Sequence, residues 1–399
     1  IAALLEDIDD SGIDEALDRA TRVGKPPDII TKFHPQPSWL WRQWRGTVLQ
    51  QTWRPALLIM GASAALVGGM ELCRTWPFLA VPDPANYVVT QLRSIDAMWG
   101  YLLTMATFVN SFFLSQAYGF WLANKGNIRK IQGRLNDIGM ILATHAVRSE
   151  NGRYSPESRQ LLEDVARYTR LFHILFWAGQ VRPARADEGA SLCVLRTAVG
   201  LDRLLARGAL NQREHSLLQN ELIPETQRYS AVLEWIVARF VEAKRCGLLH
   251  GGAGMETVLL EKTCALRATC ASIGDDAAAR MPLSYVHLVQ ILVDVLVVLA
   301  PIALYPKIGA LAVPLSGTLT IFYRGFLVLS KSFLDPFGNE DSLSENLNVT
   351  TLVVETNAGS TRWLHGASEL PFDMVAASAT HTHEAAVFKP ICKEENGKS

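Results

Sequence analysis

The chain has 399 residues, of which 49% are hydrophobic and 19% are charged. A typical soluble domain carries about 25% charged residues, so this composition favours a membrane protein with a substantial polar portion. The formal net charge of −1 gives no basis for nucleic-acid binding, because a polyanion needs a strongly basic partner surface. The chain begins with Ile1 rather than Met, so we expect its native start to lie further upstream.

Four apolar runs approach or exceed the length of about 20 residues that a membrane-spanning helix needs. They cover residues 55–70, 97–124, 282–306 and 308–333. Because Lys307 alone separates the last two runs, we expect them to form a tight helical hairpin. Arginine is concentrated before the first run and between the second and third, which places both termini and the long middle on the same side of the membrane. The sequence therefore predicts an all-α membrane protein with four transmembrane helices.

The polar middle of the chain has helical periodicity. Residues 157–179, 220–246 and 255–274 place apolar side chains at positions i, i+3, i+4 and i+7. We therefore expect a helical cytosolic portion between the second and third spans. The tail after Thr380 has few apolar residues and is expected to be extended or disordered.

Thr104, Phe108 and Phe112 recur every four residues in the second run, so they share one face of a helix. One interpretation is a stripe that faces lipid or packs against another helix. The alternative is a ring of aromatic side chains around a pore, which can gate conduction by dewetting and can face an anion with its positive ring edges. Four spans are too few to enclose a pore, so this second interpretation requires an oligomer.

Two further groups of polar residues suggest function. His287 and Asp294 lie seven residues apart in the third run, where ionisable groups are costly; they indicate either a satisfied interhelical contact or a proton relay. After the fourth run, Asp335, Glu340 and Asp341 crowd a short turn, where carboxylates are the ligands that Ca²⁺ prefers. A solvated acidic turn is the alternative. No phosphate-binding loop or catalytic triad spacing is present, which argues against an enzyme.

Five segments, in this order along the chain, resemble the bestrophin family of pentameric anion channels. They are WRQWRGTVLQQ (41–51), SFFLSQAYGFWLANKGNIRKIQGRLNDIG (111–139), RGALNQREHSLL (207–218), RMPLSYVHLVQIL (280–292) and AVPLSGTLTIFYRGFLVLSKSFLDPFGNEDS (312–342). The last segment is the most specific, since it resembles the end of the family's fourth span and the acidic motif that follows it. The first four are individually weak.

This resemblance implies a homopentamer around one axial pore, with a hydrophobic neck on the second span. Aligning the family's motif at Trp121 places the neck at Thr104, Phe108 and Phe112, the same stripe found from spacing alone. Asn127 is then expected to face the permeation path. The resemblance divides the chain into an N-terminal inner segment (1–54), helices 1 and 2 with the neck (55–124), the cytosolic or stromal portion (125–280), helices 3 and 4 (281–334), and the acidic turn with the C-terminal tail (335–399).

In animal members of the family the acidic turn forms a Ca²⁺ clasp, so Asp335, Glu340 and Asp341 are its candidate ligands. Two other clasp positions are occupied by Ser332 and Leu343, which weakens this prediction. Since plant and bacterial relatives manage without Ca²⁺, this departure favours a thylakoid or other plastid membrane over the plasma membrane.

The sequence thus predicts a passive channel for chloride and bicarbonate, embedded in a lipid bilayer and assembled from copies of itself. The alternatives are a non-conducting structural subunit of a larger complex and a proton-coupled transporter that uses His287 and Asp294.

Overall fold

Helices account for most of the chain in the computed structural model, which describes residues 10–30, 32, 34–44, 46–75, 84–181, 192–338 and 346–372. Within these ranges the extended pairings are two isolated bridges, Ala146 with Leu249 and Arg148 with Tyr154. The α-helices are α1 (Asp10–Thr21), α2 (Pro37–Arg42), α3 (Val48–Thr75), α4 (Pro84–His145), α5 (Pro156–Gln180), α6 (Ala198–Ala206), α7 (Gln212–Leu218), α8 (Arg228–Arg245), α9 (Ala253–Ala278), α10 (Leu283–Ile308), α11 (Ala312–Phe333) and α12 (Val349–Gly366).

The three periodic segments of the polar middle are helical, as their spacing predicts. They correspond to α5, α8 and α9. Helix α5 begins where Ser155 accepts a hydrogen bond from the backbone N–H of Ser158, with Pro156 in the first turn, a standard helix start. Helix α8 begins later than predicted, because residues after Pro224 form a 3-10 turn before it. The tail after Thr380 lies outside the described residues.

Three segments of the described chain are long and apolar enough to cross a membrane: 48–72, 95–145 and 283–333. The third contains both α10 and α11, which are separated by a turn at Gly309 with a φ of 54°. Arg324 donates to Asp294 at 2.7 Å and Lys331 donates to Gln290 at 2.6 Å. The two residues of each pair lie at nearly equal distances along the chain from Gly309. Helices α10 and α11 therefore run antiparallel, which is the hairpin that the sequence predicts.

Helix α4 differs from the predicted second span by its length of 62 residues. The apolar run ends at Asn124, but the helix continues to His145. Its buried positions recur every three, four or seven residues without a break. The apolar members of this stripe are Trp99, Ala106, Phe113, Ala117, Trp121, Ile128, Ile131, Leu135, Ile138 and Leu142, and Ala143 is buried beside it. The apolar stripe continues past Asn124. The helix therefore does not end where the mainly apolar sequence changes to polar sequence.

The apolar stripe of α4 contributes to two separate hydrophobic cores. Its first part packs with α10 and α11, around Phe113, Val293 and Leu296. Its second part packs with α5 and α9, around Ile131 and neighbouring residues. Helix α4 therefore connects the membrane-spanning helices rigidly to the polar helical portion.

Gly200 in α6 offers a test of the packing in the polar helical portion. A Cβ atom at this position would lie 2.2 Å from the carbonyl oxygen of Val194 and 2.6 Å from the Cα of Leu195. These are backbone atoms that cannot rotate away. We expect Gly200→Ala to destabilise the protein by about 1–3 kcal/mol, the usual cost of overpacking.

The measurement is thermal unfolding of the purified protein in detergent. Gly274→Ala is the matched control, since it lies inside α9 with no atom within 4 Å of the added Cβ. It should leave stability unchanged or raise it by up to about 1 kcal/mol through helix propensity. Equal melting temperatures for the two variants would contradict the packing described here.

Candidate conduction face of helix α4

Thr104, Phe108 and Phe112 lie together on an exposed face of α4. Phe108 is 72% exposed and Phe112 is 50% exposed. Their rings are stacked, with centroids 6.5 Å apart and an interplanar angle of 14°. Two large apolar side chains so exposed need lipid or a second protein surface to cover them.

The opposite face of α4 is fixed by specific contacts. Phe108 is two positions from the fully buried Ala106, a rotation of about 200° at 3.6 residues per turn. The side-chain amide of Asn110 donates to the backbone carbonyl of Tyr323 at 3.1 Å, and the hydroxyl groups of Thr107 and Tyr323 lie 2.7 Å apart. These bonds hold α4 against α11 in one rotational setting, so the direction of the exposed face is determined by the fold.

A third bond at the outer part of the span supports the same setting. The indole N–H of Trp99 donates to the carbonyl oxygen of Leu296 on α10 at 3.0 Å. Both groups are buried, where an unpaired donor or acceptor costs about 1–3 kcal/mol. Rotation of α4 about its axis would therefore break polar contacts to both α10 and α11.

The side chain of Thr104 has no hydrogen-bond donor left for its surroundings. Its hydroxyl donates to the carbonyl oxygen of Gly100, one turn earlier, at 3.1 Å. The proton is thus used within the helix, and the methyl group and the two oxygen lone pairs remain available to the surroundings.

Asn127 lies beyond the apolar run, where basic residues follow. It is half-buried, and its Oδ1 accepts a hydrogen bond from Lys130 at 3.3 Å. Lys130 is exposed, and Lys125 lies over the ring of Trp121 at 5.1 Å. Arg129 forms an ion pair with Glu355 at 2.8 Å. The C-terminal part of the exposed face therefore carries the positive charge of Lys130 without a paired carboxylate among the described residues.

The predicted calcium ligands are not brought together in the described part of the chain. Glu340 and Asp341 lie outside it. Asp335 is buried, 4% exposed, and forms an ion pair with Arg280 at 3.5 Å. A guanidinium in this position already balances the carboxylate and would repel a divalent cation. The described residues contain no group of three or more metal-ligating side chains. The calcium site stays a prediction, because two of its three candidate ligands lie outside the described residues.

The turn at Asp335 has a different structural role, which is to connect the two hydrophobic cores. The ring of Phe337 packs edge-on against Trp177 of α5 with centroids 5.3 Å apart. The backbone N–H of Leu347 donates to the carbonyl oxygen of Pro336 at 2.7 Å. Gly338 has a φ of 70°, a conformation that glycine adopts without strain. The turn thus ends α11 and inserts an aromatic ring into the core of the polar helical portion.

Comparisons with known proteins agree with this arrangement. The family model described as "Bestrophin, RFP-TM, chloride channel" matches residues 39–357. The chain belongs to the bestrophin family. No protein with a curated description matches its sequence.

Solved structures of a bacterial bestrophin homologue from Klebsiella pneumoniae share the fold. One single-residue variant of that homologue aligns with a TM-score of 0.59 at 12% identity, covering 77% of this chain and 97% of the homologue. A second single-residue variant gives 0.57 at 12% identity, with 81% and 100% covered. The structure solved by zinc phasing gives 0.55 at 13% identity, with 79% and 98% covered. The resemblance inferred from the ordered motifs is therefore confirmed for family and fold.

Membership in this family, together with the long apolar helices, makes the chain an integral membrane protein. Bestrophins are anion channels rather than enzymes. The neck positions, Asn127 and the acidic turn were all chosen from sequence, and they remain predictions at the level of individual residues.

Sequence reasoning missed the partners of Asp294, which is partly exposed, and of Asp335, which is buried. Asp294 accepts hydrogen bonds from Arg324 at 2.7 Å and from Gln290 at 2.5 Å. The hairpin itself contains a signal for this pair, since Asp294 and Arg324 are equally far from Gly309. Arg280 and Asp335 lie at nearly equal distances along the chain from Gly309 as well, so the same hairpin brings them near each other.

The Arg280–Asp335 pair can be tested by its effect on stability. The side chain of Arg280 is 17% exposed and that of Asp335 is 5% exposed, so removing the guanidinium breaks an ion pair that is largely buried. We expect Arg280→Gln to lower the free energy of unfolding by about 3 kcal/mol. Chemical denaturation in detergent measures this, with the exposed Arg213→Gln as the control.

The double variant Arg280→Gln/Asp335→Asn should recover part of the loss, because neither charge is then unpaired. If Arg280→Gln were as stable as Arg213→Gln, the ion pair would not contribute, and Asp335 would again be a candidate cation ligand.

Proposed function

We propose that this bestrophin is a passive chloride channel whose pore forms when five copies assemble, each contributing four transmembrane helices. The observation that carries the proposal is the exposed stack of Phe108 and Phe112 on a face of α4 whose direction is fixed by buried contacts. In this assembly Thr104, Phe108 and Phe112 of each subunit line the neck, and Asn127 lines the pore on the inner side.

The physical basis is a narrow apolar passage that closes by dewetting and opens by small changes in width. Phenyl ring edges carry partial positive charge, so a ring of them interacts better with an anion than aliphatic side chains do. Positive charge at the inner end of α4, from Lys130, would raise the local concentration of anions. Conduction of this kind needs no bound nucleotide or metal.

The proton-coupled alternative receives no support from the geometry of Asp294. A relay needs a carboxylate that can take up and release a proton. Both carboxylate oxygens of Asp294 are instead engaged within the hairpin, one by Arg324 and the other by Gln290. His287 is exposed on the same helix and forms no hydrogen bond to another described residue. Asp294 is therefore better explained as the partner of Arg324 in an ion pair that holds α10 against α11.

The neck proposal predicts that replacing both phenylalanines widens the passage. We expect Phe108→Ala/Phe112→Ala to raise open probability or single-channel conductance several-fold, because a wider neck is harder to dewet. Currents through planar bilayers containing the purified protein measure both quantities.

Phe322→Ala is a matched control, since Phe322 is an aromatic residue 51% exposed on α11 rather than on α4. It should leave the currents unchanged. Equal behaviour of the double variant and the control would remove Phe108 and Phe112 from the neck. Native mass spectrometry of the same preparation distinguishes a homopentamer from a single copy bound to other subunits, which is the structural-subunit alternative.

Bicarbonate is the second proposed permeant ion. It is a monovalent anion, as chloride is. The described side chains on the exposed face of α4 include no group that would bind chloride and exclude bicarbonate. When bicarbonate replaces chloride on both sides of the bilayer, we expect a current of the same order. Loss of current on this exchange, with recovery in chloride, would restrict the channel to halides. The proposed location, a thylakoid or other plastid membrane, depends on the family resemblance alone.

A further inference from the structure

A cavity of about 210 Å³ lies in the polar helical portion, between α1, α5, the turn after α6, and α12. Three arginines line it: Arg167 and Arg170 on α5, and Arg207 at the end of α6. None of its lining residues belongs to α4. The cavity is therefore separate from the candidate conduction face.

Both terminal nitrogens of Arg167 form hydrogen bonds with neighbouring groups. Its two terminal nitrogens donate to the two carboxylate oxygens of Glu214 at 2.6 and 2.7 Å, and one also donates to the carbonyl oxygen of Ala209 at 3.2 Å. The hydroxyl of Tyr168 donates to the same carboxylate at 2.9 Å. Burial raises the pKa of Glu214, but these hydrogen bonds outweigh it and lower the pKa overall. The Arg167–Glu214 pair is thus a neutral, closed unit in the cavity wall.

Arg170 differs from Arg167 in having no counter-charge. It is half-buried, one turn after Arg167, and forms no hydrogen bond or ion pair with any residue in the described ranges. Burial lowers the pKa of Arg170, and the positive charge of Arg167 lowers it further. Arg207 in contrast pairs with Asp18, outside the cavity lining. The cavity therefore has an excess of positive charge located on Arg170.

The described lining of the cavity contains no acidic side chain that could balance this charge. The hydroxyl of Thr21 donates to the carbonyl oxygen of Leu17 at 2.8 Å. The amide nitrogen of Asn357 donates to the carbonyl oxygens of Ala20 and Arg22 at 2.7 and 3.1 Å. The carbonyl groups at the end of α1 are therefore already engaged. The remaining wall near Arg170 includes the apolar side chains of Leu171 and Ile174.

We propose that this cavity binds a small oxyanion, of the phosphate or carboxylate type, through the guanidinium group of Arg170. An unpaired, partly buried guanidinium next to an enclosed space is stabilised by an anion that enters that space. The planar fork of arginine matches two oxygens of a carboxylate or phosphate and forms short charge-assisted bonds with them. A spherical halide cannot satisfy both arms, so the site favours an oxyanion over chloride.

The test measures binding of inorganic phosphate to the intact protein in detergent by isothermal titration calorimetry, at constant chloride. Arg170→Gln removes the proposed ligand, and Arg213→Gln is the charge-matched control on the exposed surface of α7. We expect Arg170→Gln to weaken phosphate binding about tenfold or more, which corresponds to the loss of one charge-assisted hydrogen bond. Arg213→Gln should bind as the wild type does.

Absence of phosphate binding to the wild type, or equal affinities for the two variants, would overturn the proposal. Thermal unfolding without phosphate provides an independent check. Because Arg170 has no internal partner in the described ranges, Arg170→Gln should not lower the melting temperature, and phosphate should raise that of the wild type but not that of Arg170→Gln. Marked destabilisation by Arg170→Gln would show that the guanidinium has a partner within the protein, which also contradicts the proposal. Acetate in place of phosphate tests whether a carboxylate is bound as well. None of these readouts depends on ion conduction.

Discussion

The continuity of α4 is the constraint on which the rest of the structure depends. One uninterrupted apolar stripe packs first against α10 and α11 and then against α5 and α9. A helix fixed in two cores cannot rotate in one without disturbing the other. The exposed face with Phe108 and Phe112 therefore has a fixed direction relative to the polar helical portion, and a change of packing in that portion would reach this face through α4.

Ion pairs in the membrane-spanning helices and at their ends also hold these helices in fixed positions. Asp294 and Arg324 join α10 to α11, and Lys307 joins the end of α10 to Asp96 on α4 at 2.8 Å. Each pair neutralises a group that would be costly within the bilayer. Asp335 and Arg280 do the same where α11 ends, next to the turn whose Phe337 enters the core of the polar helices. The described part of the acidic turn therefore also joins the membrane-spanning helices to the polar helical portion.

Periodicity made most of the fold predictable. The apolar runs and the i, i+3, i+4 spacing identify the membrane helices, α5 and α9, and the four-residue recurrence of Thr104, Phe108 and Phe112 identifies the exposed face of α4. Partners distant in sequence were not predictable, because spacing contains no information on which helices meet. Arg129 and Glu355 are one example. The isolation of Arg170 is another, since it depends on where α1, α5 and α12 place their acceptors. Glu340 and Asp341 lie outside the described residues and stay predictions.

The most direct test of the account is the reversal potential of currents through a planar bilayer that contains the purified protein and separates two potassium chloride concentrations. An anion-selective pore predicts a reversal potential close to the equilibrium potential of chloride. This value should persist when calcium is chelated, because the described carboxylate Asp335 is paired with Arg280. A reversal potential near that of potassium, or no current from a verified pentamer, would contradict the account.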